Sequence, residues 1–253
     1  MTVLGIETAT TVCAVALVSD GKILGEASVN EKYVHAERLM RQVDAVLREG
    51  HCSLGQLDGI AISIGPGSFT GLRIGLSVAK GLAYAVDKGL IPVPTLLALA
   101  QRVVDAGIAG KDEYVLSILD ARRDEVYCQL FRSMDGELGP VMEPRDLPVS
   151  SLPELVVKGR TWVTGDAFVK LRTVPCGTSA PWEFVPDDIA VCSAGSVGLV
   201  GESLIKKGKK GIASNLEPLY MKDFFVKQPS RAPPDDLQGA RPIQIVDRDS
   251  RDG

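Results

Sequence analysis

Gly65-Pro66-Gly67-Ser68-Phe69-Thr70-Gly71-Leu72-Arg73-Ile74-Gly75 is the stretch on which the reading of this chain turns. It follows an apolar run, Ile60-Ala61-Ile62-Ser63-Ile64, that reads as a buried strand bounded by glycines. Behind it an Ala-, Leu- and Lys-rich helical pattern runs to about Val86. A strand, a glycine loop and a helix start are the parts of an anion cradle, because the free N–H groups of a helix N-terminus favour negative charge. The loop lacks the Gly-Lys-Ser/Thr of a P-loop and the spacing of a dinucleotide fingerprint, so the glycines alone leave phosphate binding open. Ser68 reads as the N-cap of the helix, and its surroundings miss the Gly-x-Ser-x-Gly nucleophile elbow by one position.

The same glycines carry a second signal. Gly67, Gly71, Gly75 and Ala79 recur every four residues and so form a ridge with almost no side chain along one side of a helix. Glycine costs roughly 0.8–1 kcal/mol against alanine in a helix interior, so the repeat predicts close approach of another backbone. That backbone belongs either to the chain's own sheet and helices or to a second subunit. Replacing Gly71 or Gly75 by leucine separates the two: lost partner binding with intact folding means a second subunit, and collapse of folding means the core.

Outward from this stretch the order is legible. Val3–Glu7, Val12–Val18 and Ile23–Val29 read as strands, with Asp20-Gly21 as the tight turn between the last two. His35–Glu49 reads as a helix with Leu39, Met40, Val43, Val46 and Leu47 as its apolar stripe and Gly50 as its stop. A strand at Leu90–Val93 and a helix at Leu96–Ala106 follow. The second half again opens on three strands, Tyr114–Leu119, Glu125–Arg132 and Leu138–Met142, with Asp135-Gly136 as a turn. A region punctuated by Pro144, Pro148 and Pro153 precedes a strand at Thr161–Thr164 and a long helix from Ile189 to about Lys207. Pattern alone supports an α/β class with two similar lobes, residues 1–107 and 108–226. Residues 227–253 hold Pro229, Pro233, Pro234 and Pro242, no aromatic residue and mixed charge, and read as a disordered tail. Within it, Ile243–Val246 is the one piece suited to adding a short strand to a sheet edge.

Composition bounds the class. The 253 residues are 45% apolar, enough for a sizeable core, and no run approaches the ~18 apolar residues a membrane span needs. The chain enters a strand pattern directly, without a signal-peptide layout, and its five cysteines (Cys13, Cys52, Cys128, Cys176, Cys192) show no Cys-x-x-Cys spacing. A cytosolic protein with reduced thiols is the expectation. A net charge of −4 argues against this chain gripping nucleic acid alone, though a local basic patch stays open.

The run GPGSFTGLRIG, with Ala79-Lys80-Gly81-Leu82-Ala83 after it, closely resembles the TsaB (YeaZ) family of bacterial tRNA-modification proteins. Leu4-Gly5-Ile6-Glu7-Thr8-Ala9-Thr10, His35-Ala36-Glu37-Arg38-Leu39, Asp120-Ala121-Arg122-Arg123-Asp124-Glu125-Val126-Tyr127 and Glu217-Pro218-Leu219-Tyr220-Met221-Lys222 resemble it too, in order. The resemblance implies a duplicated actin/Hsp70/sugar-kinase-like fold and a non-catalytic partner of TsaD, a paralogue of the same fold. With the ATPase TsaE, these transfer a threonylcarbamoyl group from threonylcarbamoyl-adenylate to N6 of adenosine 37 in tRNAs reading ANN codons. It further implies a helical interface, for which His35, Leu39, Met40, Val43, Gly67, Gly71, Arg73, Gly75 and Lys80 are the candidates. Intramolecular burial explains Leu39, Val43 and Leu47 equally well. A homodimer through the same helices is expected when the partner is absent. tRNA is met through the complex, and no membrane is involved.

The chemistry is thin. Actin-like folds place Asp-x-Gly and hydroxyls at the first hairpin to meet ATP phosphates and magnesium, where this chain has Glu7-Thr8-Ala9-Thr10-Thr11. Glu7, Thr8 and Thr10 are therefore the candidate nucleotide residues, against the plainer reading of a turn whose hydroxyls bond locally. No cofactor is firmly expected of the chain itself; ATP or ADP with magnesium belongs to the complex. His35 and His51 are sixteen apart, so no i, i+4 metal pair exists, and TsaD's His pair is missing. No catalytic residue and no metal ligand is predicted. The alternatives are an ATP-dependent small-molecule kinase of the same fold and a metallopeptidase, the latter opposed by the absent histidines. Asp120–Glu125 packs charges at a strand end, either solvated or reaching across the cleft or to a partner; Arg73 and Lys80 share one side of the glycine helix.

Overall fold

Thr2–Glu7 (β1) alternates residues that leave toward opposite faces, and both faces are buried, so the strand is central. It pairs antiparallel with Val12–Ser19 (β2), which pairs antiparallel with Lys22–Asn30 (β3). On its other side it runs parallel to Gly59–Ser63 (β4), which runs parallel to Leu90–Val93 (β5). The sheet order is β3-β2-β1-β4-β5. The computed structural model describes residues 1–155, 157–171, 182–209, 211 and 216–221, all within one unit, Met1–Lys222. The tail at 227–253 with its Ile243–Val246 segment, and Cys176, lie outside the described residues.

The second half repeats the plan. Tyr114–Asp120 (β6), Glu125–Met134 (β7) and Glu137–Pro140 (β8) form the antiparallel meander, and Arg145–Pro148 (β9) adds to β7. Thr161–Thr164 (β10) lies parallel to β6, and Trp182–Phe184 (β11) parallel to β10. The order β8-β7-β6-β10-β11 matches the first sheet strand for strand, with the same directions. Two copies of this sheet define the duplicated actin/Hsp70/sugar-kinase-like fold.

Helices cover the sheets according to their apolar stripes. His35–Glu49 (α1) and Phe69–Ala85 (α2) share one core with Leu4, Ile6, Val15 and Leu17 of the first sheet. Thr95–Asp105 (α3) packs with Val115, Leu119 and Phe131 of the second. After the short Phe168–Leu171 (α4), Ala194–Lys206 (α5) returns to the first sheet, where Val197 and Val200 meet Val3, Ala61 and Val93. The boundary at residue 107 thus separates the sheets but not the helices that cover them.

The expected helix from Ile189 starts only at Ala194, because Ser193 caps it: Ser193 Oγ accepts from Ser196 N at 3.3 Å. Glu26 of β3 completes the cap, accepting from Ala194 N at 2.9 Å and from Ser193 Oγ at 3.0 Å. A carboxylate at a helix N-terminus satisfies free N–H groups and meets the positive end of the helix dipole. Glu26→Ala is expected to lose about 1 kcal/mol in urea unfolding; an unchanged midpoint would show that solvent replaces the cap.

Three turns carry successive residues in the left-handed region: Asp20-Gly21, Asp135-Gly136 and Arg122-Arg123. The first two are two-residue hairpin loops, for which Asp-Gly is favoured chemistry. A left-handed backbone costs a residue bearing a Cβ roughly 1–2 kcal/mol, so the pair Arg122 (φ 69°) and Arg123 (φ 50°) is the expensive one.

Candidate functional site

The glycine ridge meets its own chain. A Cβ on Gly67 would overlap the carbonyl of Ala9, one on Gly71 the carbonyl of Thr8, and one on Gly75 the hydroxyl of Thr8. Ser68 N donates to Ala9 O at 2.6 Å, and Ser68 Oγ accepts from Gly71 N at 3.2 Å, so the predicted N-cap is present. The backbone that approaches α2 along this ridge is the turn after β1. The inter-subunit reading of Gly67, Gly71 and Gly75 is corrected accordingly.

Other expected interface residues also face inward. Leu39 and Val43 are buried in the core of the first sheet. His35 is buried, with Nε2 at 3.1 Å from Thr10 O and 3.2 Å from Val12 O. It bolts the start of α1 to the β1–β2 hairpin, and Gln42 does the same two turns on, donating to Cys13 O at 2.9 Å. A partner does not reach these side chains unless α1 moves. Met40 and Arg73 are exposed and Lys80 is half-buried, so these three remain on the outside.

What sequence reasoning missed is the outer face itself. Tyr33, just before α1, is 96% exposed, and Tyr84 of α2 is 91% exposed. Ser77, Gly81 and Ala85 are exposed along α2 at four-residue spacing, and a Cβ on Gly81 would meet nothing within 4 Å. The signal was present as a second small-residue register two positions on from Gly75. At the start of α2, Arg73 stacks over Phe69 at 3.9 Å and donates from Nε to Tyr220 Oη at 2.9 Å. Leu219 N donates to Ile64 O at 2.7 Å, so the closing Pro-x-Tyr element clasps the glycine loop.

The cleft residues do not fit a magnesium nucleotide. Glu7 and Thr8 are wholly buried, and Thr8 lies against Gly71 and Gly75 of α2. Burial pushes the Glu7 carboxyl up to about 7, against the lowering effect of hydrogen bonds from Ala9 N and Ser63. Glu7 Oε2 and Thr8 Oγ1 have no hydrogen-bond partner among the described residues. Thr10, with Thr11, Asn30, Leu119, Asp166 and Cys192, lines a cavity of about 30 Å³. That suits a water, where a small-molecule pocket needs roughly 300 Å³. The expectation of nucleotide contacts from Glu7 and Thr8 is corrected on this ground, and Thr10 turns to the small cavity. Burial raises the Cys192 thiol well above its ordinary value and raises the Asp166 carboxyl, so Cys192 is not a ready thiolate. Among the described residues no set of three His, Cys, Asp or Glu side chains is placed to hold a metal ion, and no helix is long and apolar enough to cross a membrane.

Known proteins place this architecture. YeaZ from Pseudomonas aeruginosa superposes with a TM-score of 0.74 at 28% identity, covering 87% of this chain and 99% of that one. The tRNA threonylcarbamoyladenosine biosynthesis protein TsaB of Escherichia coli K12 is 28% identical over 236 residues, 88% of this chain and 95% of that protein. TsaB of Haemophilus influenzae is 37% identical over 129 residues, 50% of this chain and only 52% of that protein. The family model described as TsaD: tRNA N6-adenosine threonylcarbamoyltransferase matches residues 23–214. The chain belongs to the TsaB (YeaZ) group of this family. The matched span opens inside β3 and closes after α5, so it takes in α1, α2 and the second sheet, while β1, β2 and the turn between them precede it.

Proposed function

We propose that this chain is a non-catalytic subunit of the complex that transfers a threonylcarbamoyl group to N6 of adenosine 37 in tRNAs reading ANN codons. It acts by binding and organising a catalytic paralogue of the TsaD kind, with a TsaE-like ATPase and tRNA joining at the level of the complex. The names of its relatives and the family match supply the reaction. The outer face of α1 and α2 supports the role. Tyr33, Met40 and Tyr84 are large side chains left in solvent, and the small residues Ser77, Gly81 and Ala85 let another helix come close. Aromatic and Met side chains are enriched where protein surfaces meet, and small residues set how near two helices approach. ATP or ADP with magnesium is assigned to the complex rather than to Glu7 and Thr8. A cytoplasmic setting follows from the reaction.

Nucleoside mass spectrometry of tRNA after depletion of the protein in its native host tests this. Threonylcarbamoyladenosine should fall, and the wild-type chain should restore it. Gly81→Leu combined with Tyr84→Glu should fail to restore it while the purified variant keeps its melting temperature. Unchanged modification after full depletion would reject the assignment.

A further inference from the structure

The turn between β6 and β7 holds two arginines in the left-handed backbone that the chain elsewhere gives to Asp-Gly. Its surroundings are spent on holding that shape. Asp120 Oδ1 accepts from Arg122 N at 2.6 Å, and Asp166 Oδ1 accepts from Asp120 N at 2.9 Å. Lys170 Nζ donates to Asp120 Oδ1 and to Arg123 O, each at 2.7 Å, and to Glu125 O at 3.2 Å. Asp120 therefore holds Lys170 and the turn backbone rather than the arginines, while exposed Asp124 and half-buried Glu125 follow the arginines in the same turn. Arg122 and Arg123 are exposed, and neither has an ion-pair partner among the described residues. Residues 120–125 present only charged side chains to solvent, since Ala121 is buried. A protein interface has an apolar centre, which this turn lacks; a phosphate contact needs only unpaired guanidinium groups, here carried on a held backbone.

We propose that Arg122 and Arg123 form a rigid two-guanidinium contact for RNA phosphates, through which this subunit touches tRNA in the complex. The inference rests on the proposed function for the identity of the RNA. The chain's net charge of −4 keeps its general grip on RNA weak, so a local, pre-shaped contact is how it would add to tRNA binding. The strained backbone fits this use, since costly conformations persist where a function holds them.

The experiment is tRNA binding by the complex of the full chain with its TsaD-like paralogue, using an unmodified transcript of an ANN-reading tRNA between about 50 and 200 mM salt. Arg122→Asn with Arg123→Gly suits the left-handed turn, so the fold and the association with the paralogue should be kept. The affinity for tRNA should drop about tenfold, and the slope of log affinity against log salt should shrink by about 1 to 2. Arg122→Lys with Arg123→Lys should keep most of that slope. Equal binding by wild type and the Asn-Gly variant would overturn the contact and leave the proposed function standing. Loss of the paralogue instead of RNA would make the turn a protein contact and also overturn it. Failure of the wild-type chain to join the paralogue would reject the proposed function, and the tRNA contact with it.

Discussion

Glu7→Gln is expected to make the protein more stable at pH 8 than the wild type and to leave the two alike near pH 4. Glu7 sits at the buried end of β1 with Oε1 accepting from Ala9 N and Oε2 unpartnered among the described residues. Burial is the leading cause that lifts its carboxyl from the ordinary 4.5 to about 7, and Glu26 adds a smaller push in the same direction. The folded state therefore holds the proton more tightly than the unfolded state. Stability is fully present below pH 4.5 and is lost as pH rises through 7, because the unfolded chain ionises freely while the folded one must bury a charge. The difference corresponds to about 3 kcal/mol at pH 8, a large share of a typical domain's stability. Glutamine keeps the shape and cannot ionise, so its stability should be flat across that window. Asp105 and Asp166 are raised as well and act in the same direction, so the comparison with the variant is what isolates Glu7. Urea unfolding at pH 5, 6, 7 and 8 measures it; parallel curves for the two proteins would show that Glu7 is not the titrating group.

The same residue shows what the sequence could and could not disclose. Strands and helices of the first half were legible because their periodicity is strong and their turns carry Asp-Gly or a capping serine. His35–Glu49 and Leu90–Val93 match to the residue. The duplication was visible only as two three-strand openings, since it lies in strand order rather than in repeated residues. Arg145–Pro148, Trp182–Phe184 and the late start of α5 were not legible. The two strands are short pieces at sheet edges, and the α5 start is fixed by Glu26, far off in sequence. Glu7 read as a remnant nucleotide ligand from its place in a hairpin. Only packing reveals that it is wholly buried. A motif names a position in a fold; whether solvent or substrate reaches that position depends on what covers it.

The contact of α2 with Thr8 gives the sharpest test of the glycine helix. Gly75→Leu is expected to cost more than about 3 kcal/mol and to cripple folding, because the new side chain would enter the space of Thr8 at the buried contact of α2 with the first sheet. Smaller changes separate the mechanism from general damage. Gly75→Ala places its methyl against the Thr8 hydroxyl, a buried oxygen with no partner among the described residues, so Thr8→Ala removes the clash without breaking a hydrogen bond to any of them. The Thr8 Cβ stays at 3.1 Å, which makes the rescue partial. The double variant should recover about 1–2 kcal/mol relative to the sum of the single ones. Gly71→Ala meets the Thr8 carbonyl, which belongs to the backbone, so Thr8→Ala should not rescue it. Gly81→Ala on the exposed side meets nothing and should stabilise the isolated chain by up to about 1 kcal/mol. If the inner ridge served a second subunit instead, Gly75→Ala would spare the monomer's stability, Thr8→Ala would not couple to it, and the loss would appear only in association. Chemical denaturation of the four single alanine variants and of the Thr8/Gly75 and Thr8/Gly71 double variants decides between own-chain packing and an interface at each glycine.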